Sequence, residues 1–238
     1  MLARARLESR VVAKDHFPQT LKTWIHQKLE EGHRGREELN RYVMGIYSGP
    51  LQVYCRGTGS FHLGEPDDIV SGFFADRLSR DDYFEGWKES GLRLRRWLMN
   101  GLGFYLKEQA REQRHAGASS RNETEMEAST PDNTAEVEAD MDRAFAVSVV
   151  RLALAETQKT CDSKGLGEHW RIFHKHYYDG LPYAEFTQEF GVGAARAAEM
   201  ARTVAGKFRS ALRGILASDG ARESEIDTEI ESLLELSA

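Results

Sequence analysis

An all-α fold is predicted for this chain of 238 residues, on three observations. Apolar residues recur at helical i, i+3, i+4, i+7 spacing through most of the sequence, with no lasting strand-like alternation and no repeat of 20–50 residues. Glycine and proline fall where such helices would stop and start. One stretch, His115 to Asp140, is poor in apolar residues and rich in Ser, Thr, Glu, Asn and Ala. It has too little to bury to offset the entropy of ordering. Two small helical domains joined by a flexible acidic linker are therefore expected. The first spans 16–114, the linker 115–139, the second domain 140–217, and a tail, able to form one short helix, 218–238.

In the first domain, Phe17, Leu21, Trp24, Ile25, Lys28 and Leu29 share one side of a helix that stops at Gly32. Leu39, Tyr42, Val43, Ile46 and Tyr47 mark the next helix, which is expected to break at Gly49-Pro50 and resume through Leu51, Val53 and Tyr54. Pro66 sits in a first-turn position, with Glu65, Asp67 and Asp68 at the positive end of a helix whose apolar face is Ile69, Val70, Phe73 and Leu78. A loop with Asp81, Asp82 and Gly86 follows. The last helix turns Leu94, Trp97, Leu98, Leu102, Tyr105 and Leu106 inward and its basic residues outward; Gly101 and Gly103 weaken it by about 1 kcal/mol each relative to Ala.

The second domain opens on Phe145, Val149, Leu152 and Leu154 and leads to its most informative stretch, Tyr177 to Leu216. The helix before it stops at Asp179-Gly180, and Pro182 opens a short helix with Tyr183, Phe186 and Phe190 on one face. Gly191-Val192-Gly193 makes a turn. A longer helix follows, with Ala197, Met200, Ala201, Val204, Phe208, Leu212 and Ile215 as its apolar stripe. Its other face carries Arg196, Arg202, Lys207, Arg209 and Arg213 against the single acid Glu199. A buried stripe backed by cations suits a helix-turn-helix that faces a polyanion. The tail places Ile226, Ile230, Leu233 and Leu234 at helical spacing.

The overall charge of −6 conceals two basic patches. Arg93, Arg95, Arg96, Lys107, Arg111 and Arg114 against Glu108 and Glu112 give 93–114 a net +4, and 196–213 is also +4. Between them, eight acids against Arg121 make 116–142 a net −7. Two cationic surfaces flanking an acidic spacer suit a protein that touches DNA at two places. No apolar run reaches a membrane span and the first residues lack a signal-peptide core, so a cytoplasmic protein without membrane partners is expected. Cys55 and Cys161 are expected as reduced thiols. His169, His174 and His176 near Cys161 have spacings that no single helix can aim at one ion, so no metal is expected. No nucleotide-binding or hydrolase motif is present, and neither a cofactor nor an enzymatic activity is expected.

Several segments together resemble a known family. EPDDIVSGFFADRL (65–78) resembles the acidic helix of region 2 in bacterial sigma factors, and LRLRRWLMNGLGFYLKEQARE (92–112) resembles the basic-aromatic helix after it. DGLPYAEFTQEFGV (179–192) with the basic helix that follows resembles region 4. Two helical domains, a charged linker and no region 3 are similar to the extracytoplasmic-function (ECF) class. FPQTLKTW (17–24), DRAFAVSVVRLAL (142–154) and EIDTEIESLL (225–234) resemble a divergent group of it common in planctomycetes. The resemblance covers nearly all of the chain outside the linker. Where the family carries a Thr-Val pair early in the recognition helix, this chain has Arg196-Ala197.

The resemblance implies a sigma factor that binds core RNA polymerase and directs initiation at two promoter elements, without chemistry of its own. Its partners would be the β′ coiled coil and β flap of the polymerase and promoter DNA, with an anti-sigma factor left open. Asp67, Asp68, Asp76 and Arg77 would meet the polymerase. Trp87, Arg93, Arg95, Arg96, Trp97, Asn100 and Lys107 would handle the −10 element, with Trp87 in a loop before the basic helix. Ala195, Arg196, Ala198, Glu199 and Arg202 would face the −35 element. Arginine can bond guanine bidentately at about 1–3 kcal/mol of discrimination, and a carboxylate such as Glu199 can accept from cytosine. Aromatic rings and guanidinium planes hold unstacked bases at about 1–3 kcal/mol each. The alternatives are a stand-alone helix-turn-helix regulator and a helical interaction adaptor.

Overall fold

A computed structural model describes residues 21–80, 82–117 and 134–237. Among these the chain is all-helical, with no strand. It divides into two compact units, one ending at Ser148 and the next beginning at Val149. The expected domain start at 16 and the central part of the expected linker, 118–133, lie outside the described residues.

The first unit holds α1 (Leu21–Glu30), α2 (His33–Gly57), a 3-10 turn (Ser60–Leu63), α3 (Pro66–Arg77), α4 (Tyr83–Ser90), α5 (Leu94–Gly117) and the first half of α6 (Thr134–Ser163). α2 packs on α3 and α5. Its buried side chains Leu39, Val43, Ile46, Tyr47, Leu51 and Cys55 run the whole length of the helix. That continuous stripe explains why α2 does not break at Gly49-Pro50, as the sequence suggested. Pro50 is inside the helix and buried. An interior proline costs about 3 kcal/mol, and burial at six positions on both sides of it outweighs that cost.

The expected loop at 81–86 is also different: residues 83–90 form α4. Gly86 reads as a loop signal, but its role is spatial. A Cβ there would lie 3.4 Å from the Trp97 ring, so the missing side chain makes room for an indole. Gly101 in α5 has the same function more sharply, since a Cβ there would fall 2.6 Å from Tyr83 Oη and 3.3 Å from the Phe73 ring. Gly103 differs: its Cβ would meet only Tyr54 Oη, at an ordinary 3.7 Å.

α6 begins inside the stretch assigned to the linker, and α5 runs to Gly117. Val137, Met141 and Phe145, at i, i+4 and i+8, are all buried in the first unit. The Val137 methyls occupy the space that a side chain at Gly57 would fill, 2.6 Å from its Cβ position, and the Phe145 ring stacks on Tyr47 at 5.6 Å. The first unit therefore extends to Ser148, past the boundary expected at 139–140.

The second unit contains the rest of α6, α7 (Gly167–Phe173) running into a π-helical turn (His174–Tyr178), α8 (Tyr183–Phe186) with a 3-10 turn (Thr187–Phe190), α9 (Ala194–Ser218) and α10 (Ile226–Leu236). α9 packs on α7, α8 and α10. Ile226, Ile230 and Leu233 bury the inner face of α10, so the tail is a helix as its spacing suggested. Cys55 and Cys161 are free, buried and in different units.

The two α5 glycines should respond oppositely to alanine. Gly101→Ala overpacks Tyr83 and Phe73, at about 1–3 kcal/mol, which exceeds the helix-propensity gain of about 1 kcal/mol. Gly103→Ala keeps that gain without a clash. Urea unfolding curves should show the first variant destabilised and the second stabilised.

Candidate nucleic-acid interface

The start of α9 is positioned from below by aromatic packing. Tyr183 stacks on His176 with centroids 3.9 Å apart, and Phe186, 1% exposed, anchors α8. Burial, with Tyr177 beside it, pushes the Tyr183 hydroxyl up to about 12, so it stays neutral. Gly191 turns the chain at φ 61°, a left-handed conformation that favours glycine, and Gly193 leads into α9. The apolar stripe from Ala197 to Ile215 is buried as its spacing indicated.

Burying that stripe fixes what faces outward. Ala195, Arg196, Glu199 and Arg202 are exposed and Ala198 is half-buried. Ala195, Glu199, Arg202, Gly206, Arg209 and Arg213 follow one another at three- and four-residue steps, so they form a single line along α9. Arg196 lies at its edge and bonds Glu199 at 2.7 Å. All five residues expected at a −35 element thus lie within the first two and a half turns of one helix.

The far end of the same line is occupied. α10 brings Asp227 within 3.0 Å of Arg209 and 2.6 Å of Arg213, and Glu223 also pairs with Arg213. Partial burial acts to raise the Asp227 pKa, but hydrogen bonds from Arg213 and Arg209 prevail and hold it below its ordinary 3.8. The sequence placed Arg209 and Arg213 on the open cationic face; the structure gives them to α10.

In α5 the expected −10 group separates into three environments. Asn100 and Lys107 are exposed. Between them is Phe104, 64% exposed, with Lys107 Nζ 5.9 Å from its ring centroid. Phe104 is absent from the group read from sequence, although its spacing, i+4 from Asn100 and i−3 from Lys107, places it on their face. Trp87 is a correction: it lies in α4, not a loop, is 1% exposed, and donates its indole N–H to Leu92 O at 2.9 Å. Trp97 is half-buried, tilted against Tyr83 at 5.7 Å and covering Gly86. Trp87 therefore belongs to the core and presents no open platform, whereas Trp97 stays partly accessible.

Arg95 and Arg96 face α6, and Arg93 lines the cavity beside them. Arg96 pairs with Glu138 at 2.7 Å and Arg95 with Asp142 at 3.4 Å, while the Arg95 guanidinium lies 4.9 Å from the Phe145 ring centroid. The three arginines line an open cavity of about 340 Å³ together with Met99, Glu138, Met141 and Asp142. Partly exposed pairs of this kind contribute about 0.2–1 kcal/mol each.

The group expected to meet polymerase is also split along α3. Asp67 and Asp68 are exposed in its first turn, and Asp67 accepts from Gln52 at 2.7 Å. Asp76 and Arg77 are at the other end, about 12 Å along the axis. Arg77 is 8% exposed, pairs with Glu108 and bonds Asp76 at 3.2 Å, and Asp76 also holds Arg80 at 3.0 Å. Arg77 therefore ties α3 to α5 and presents no cation to a partner, a second correction.

Among the described residues no group of three or more His, Cys, Asp and Glu side chains is placed to hold a metal ion, and no helix is long and apolar enough to cross a membrane. His176 bonds Leu181 O at 2.9 Å and His174 faces Asp179 at 3.4 Å. No family model, curated protein or solved structure matches the chain.

The depressed Asp227 pKa makes a signed prediction. Its contribution to stability is present above the ordinary carboxylate range and is lost as pH falls through the folded-state value, below about pH 4. Thermal melts of the wild type should therefore lose stability in that window, while Asp227→Asn should start lower at neutral pH and lack that component of the acid-side loss.

Proposed function

We propose that this protein is a sigma factor of the ECF type, which binds core RNA polymerase and directs initiation by contacting two promoter elements. The observation that carries the reading is the open first half of α9. A short helix, a left-handed glycine turn and a 25-residue helix present Ala195, Arg196, Ala198, Glu199 and Arg202 together on an exposed surface. That is the arrangement by which the second helix of a helix-turn-helix enters a major groove with its N-terminal residues toward the bases.

The first unit supports the same reading with a second, separate face. Asn100, Phe104 and Lys107 offer an exposed amide, ring and cation along one side of α5, the chemistry that holds unstacked bases. Arg96 and Arg93, four and seven residues before Asn100, continue that line toward the start of the helix, with Arg95 beside them on the side of α6. Asp67 and Asp68, exposed at the start of α3, are the groups assigned to the β′ coiled coil; the second unit would meet the β flap. Asp76 and Arg77 act in this reading as internal braces.

A stand-alone DNA-binding regulator is the second reading. It is favoured by the pairing of Arg95 and Arg96 with carboxylates, which leaves the α9 start as the more open cationic surface. Purified core enzyme separates the two: the sigma reading requires stoichiometric binding and promoter-dependent run-off transcripts, and the regulator reading requires tight duplex binding that ignores polymerase.

In that assay Arg196→Ala/Arg202→Ala should lower transcription that depends on a −35 element at least about tenfold, because each lost base contact is worth about 1–3 kcal/mol, with polymerase binding retained. Asp67→Asn/Asp68→Asn should do the reverse. Loss of polymerase binding in the arginine variant would overturn the division of labour between the units.

A further inference from the structure

We infer that the first nine residues of α6 form an acidic clasp that occupies the α5 arginines in the free protein and must yield them to nucleic acid. The inference rests on the reading of α5 as a DNA-facing surface and adds a regulation to it. Its basis is a juxtaposition within the first unit. Glu138 and Asp142 are i, i+4 on α6, about 5–6 Å apart on one face. Each reaches a different arginine, Glu138 to Arg96 at 2.7 Å and Asp142 to Arg95 at 3.4 Å.

Two carboxylates one helical turn apart, each on a guanidinium, occupy the positions that successive phosphates of a strand would take. The other two acids of this segment are placed differently: Glu136 is exposed, and Asp140 bonds Arg143 on its own helix at 2.7 Å. Only the carboxylates that touch α5 are aimed into the cavity lined by Arg93, Arg95 and Arg96.

The clasp is held by apolar contacts and closed by exchangeable ones. Val137, Met141 and Phe145 are buried at 5%, 2% and 2% exposure. The paired side chains stay accessible: 25% for Arg95, 47% for Asp142, 42% for Arg96 and 31% for Glu138. A polyanion can therefore reach the guanidinium groups and displace the carboxylates while Val137 and Phe145 keep α6 seated. Because the competing charge belongs to the same chain, it acts at a high effective concentration, and every polyanion that must displace it loses affinity by the same factor.

The test compares full-length wild type, Glu138→Gln/Asp142→Asn and Glu136→Gln/Asp140→Asn for binding to fluorescent duplex and single-stranded oligonucleotides, alone and with core polymerase. The clasp variant should bind roughly twofold to thirtyfold more tightly than wild type, as expected for two partly exposed pairs removed from competition. The 136/140 variant removes the same charge and should gain clearly less. Equal gains in the two variants would reduce the effect to net charge and overturn the clasp, and so would no gain in the first, with the DNA-binding reading intact in both cases. No binding by any protein, with or without polymerase, would overturn both readings. Carbodiimide labelling of the Glu138 and Asp142 carboxylates in the wild type needs no variant: added oligonucleotide should raise it, and unchanged or reduced labelling would sink the clasp even if the variants fold poorly.

Discussion

Leu94, Leu98, Leu102 and Leu106 follow one another at four-residue steps along α5, and each is 6% exposed or less. Burying four leucines in register fixes the rotation of the helix about its axis, and with it the direction of every other α5 side chain. Asn100, Phe104 and Lys107 are left on the solvent side, and Arg95 and Arg96 are turned toward α6. At the Gly101 position α5 comes so close to Tyr83 and Phe73 that no side chain fits. The exposed face of the first unit proposed to meet DNA is thus a by-product of core packing: shift α5 and both Phe104 with its neighbours and the arginines move with it.

The second unit reaches a comparable result with weaker means. Alanines and a methionine occupy the start of the α9 stripe, at Ala197, Met200 and Ala201, so little apolar area is buried under the first turns. Orientation there depends more on the aromatic layer of His176, Tyr183 and Phe186 and on the fixed turn at Gly191. Small side chains also leave a smooth outer surface at Ala195 and Ala198, with Arg196, Glu199 and Arg202 as the polar groups around it. At the other end of α9, α10 confines the cations Arg209 and Arg213.

Much of this was legible in the sequence because it depends on periodicity. The inward residues of α9 and α10, the inward leucines of α5 and the open face at 195–202 all follow from a 3.6-residue repeat. What was not legible depends on partners distant in sequence. Gly86 and Pro50 look like breaks, and only the Trp97 ring and the buried stripe of α2 show why they are not. Arg77, Arg95 and Arg96 look like surface cations until Glu108, Asp142 and Glu138 are brought to them. The acidic composition around residue 138 suggested a linker, since Val137, Met141 and Phe145 had no visible surface to cover. Phe104 was missed for the opposite reason: an aromatic in an amphipathic helix is presumed to be core, and this one is not.

The two thiols give the molecule a pair of built-in gauges. Cys55 and Cys161 are 2% and 0% exposed, and burial pushes both above the ordinary thiol range, so neither is reactive while its surroundings hold. One lies in each compact unit. An alkylating reagent therefore samples them only when the local structure opens, and the rate at which each sulfur is labelled reports the opening of its own half independently of the other.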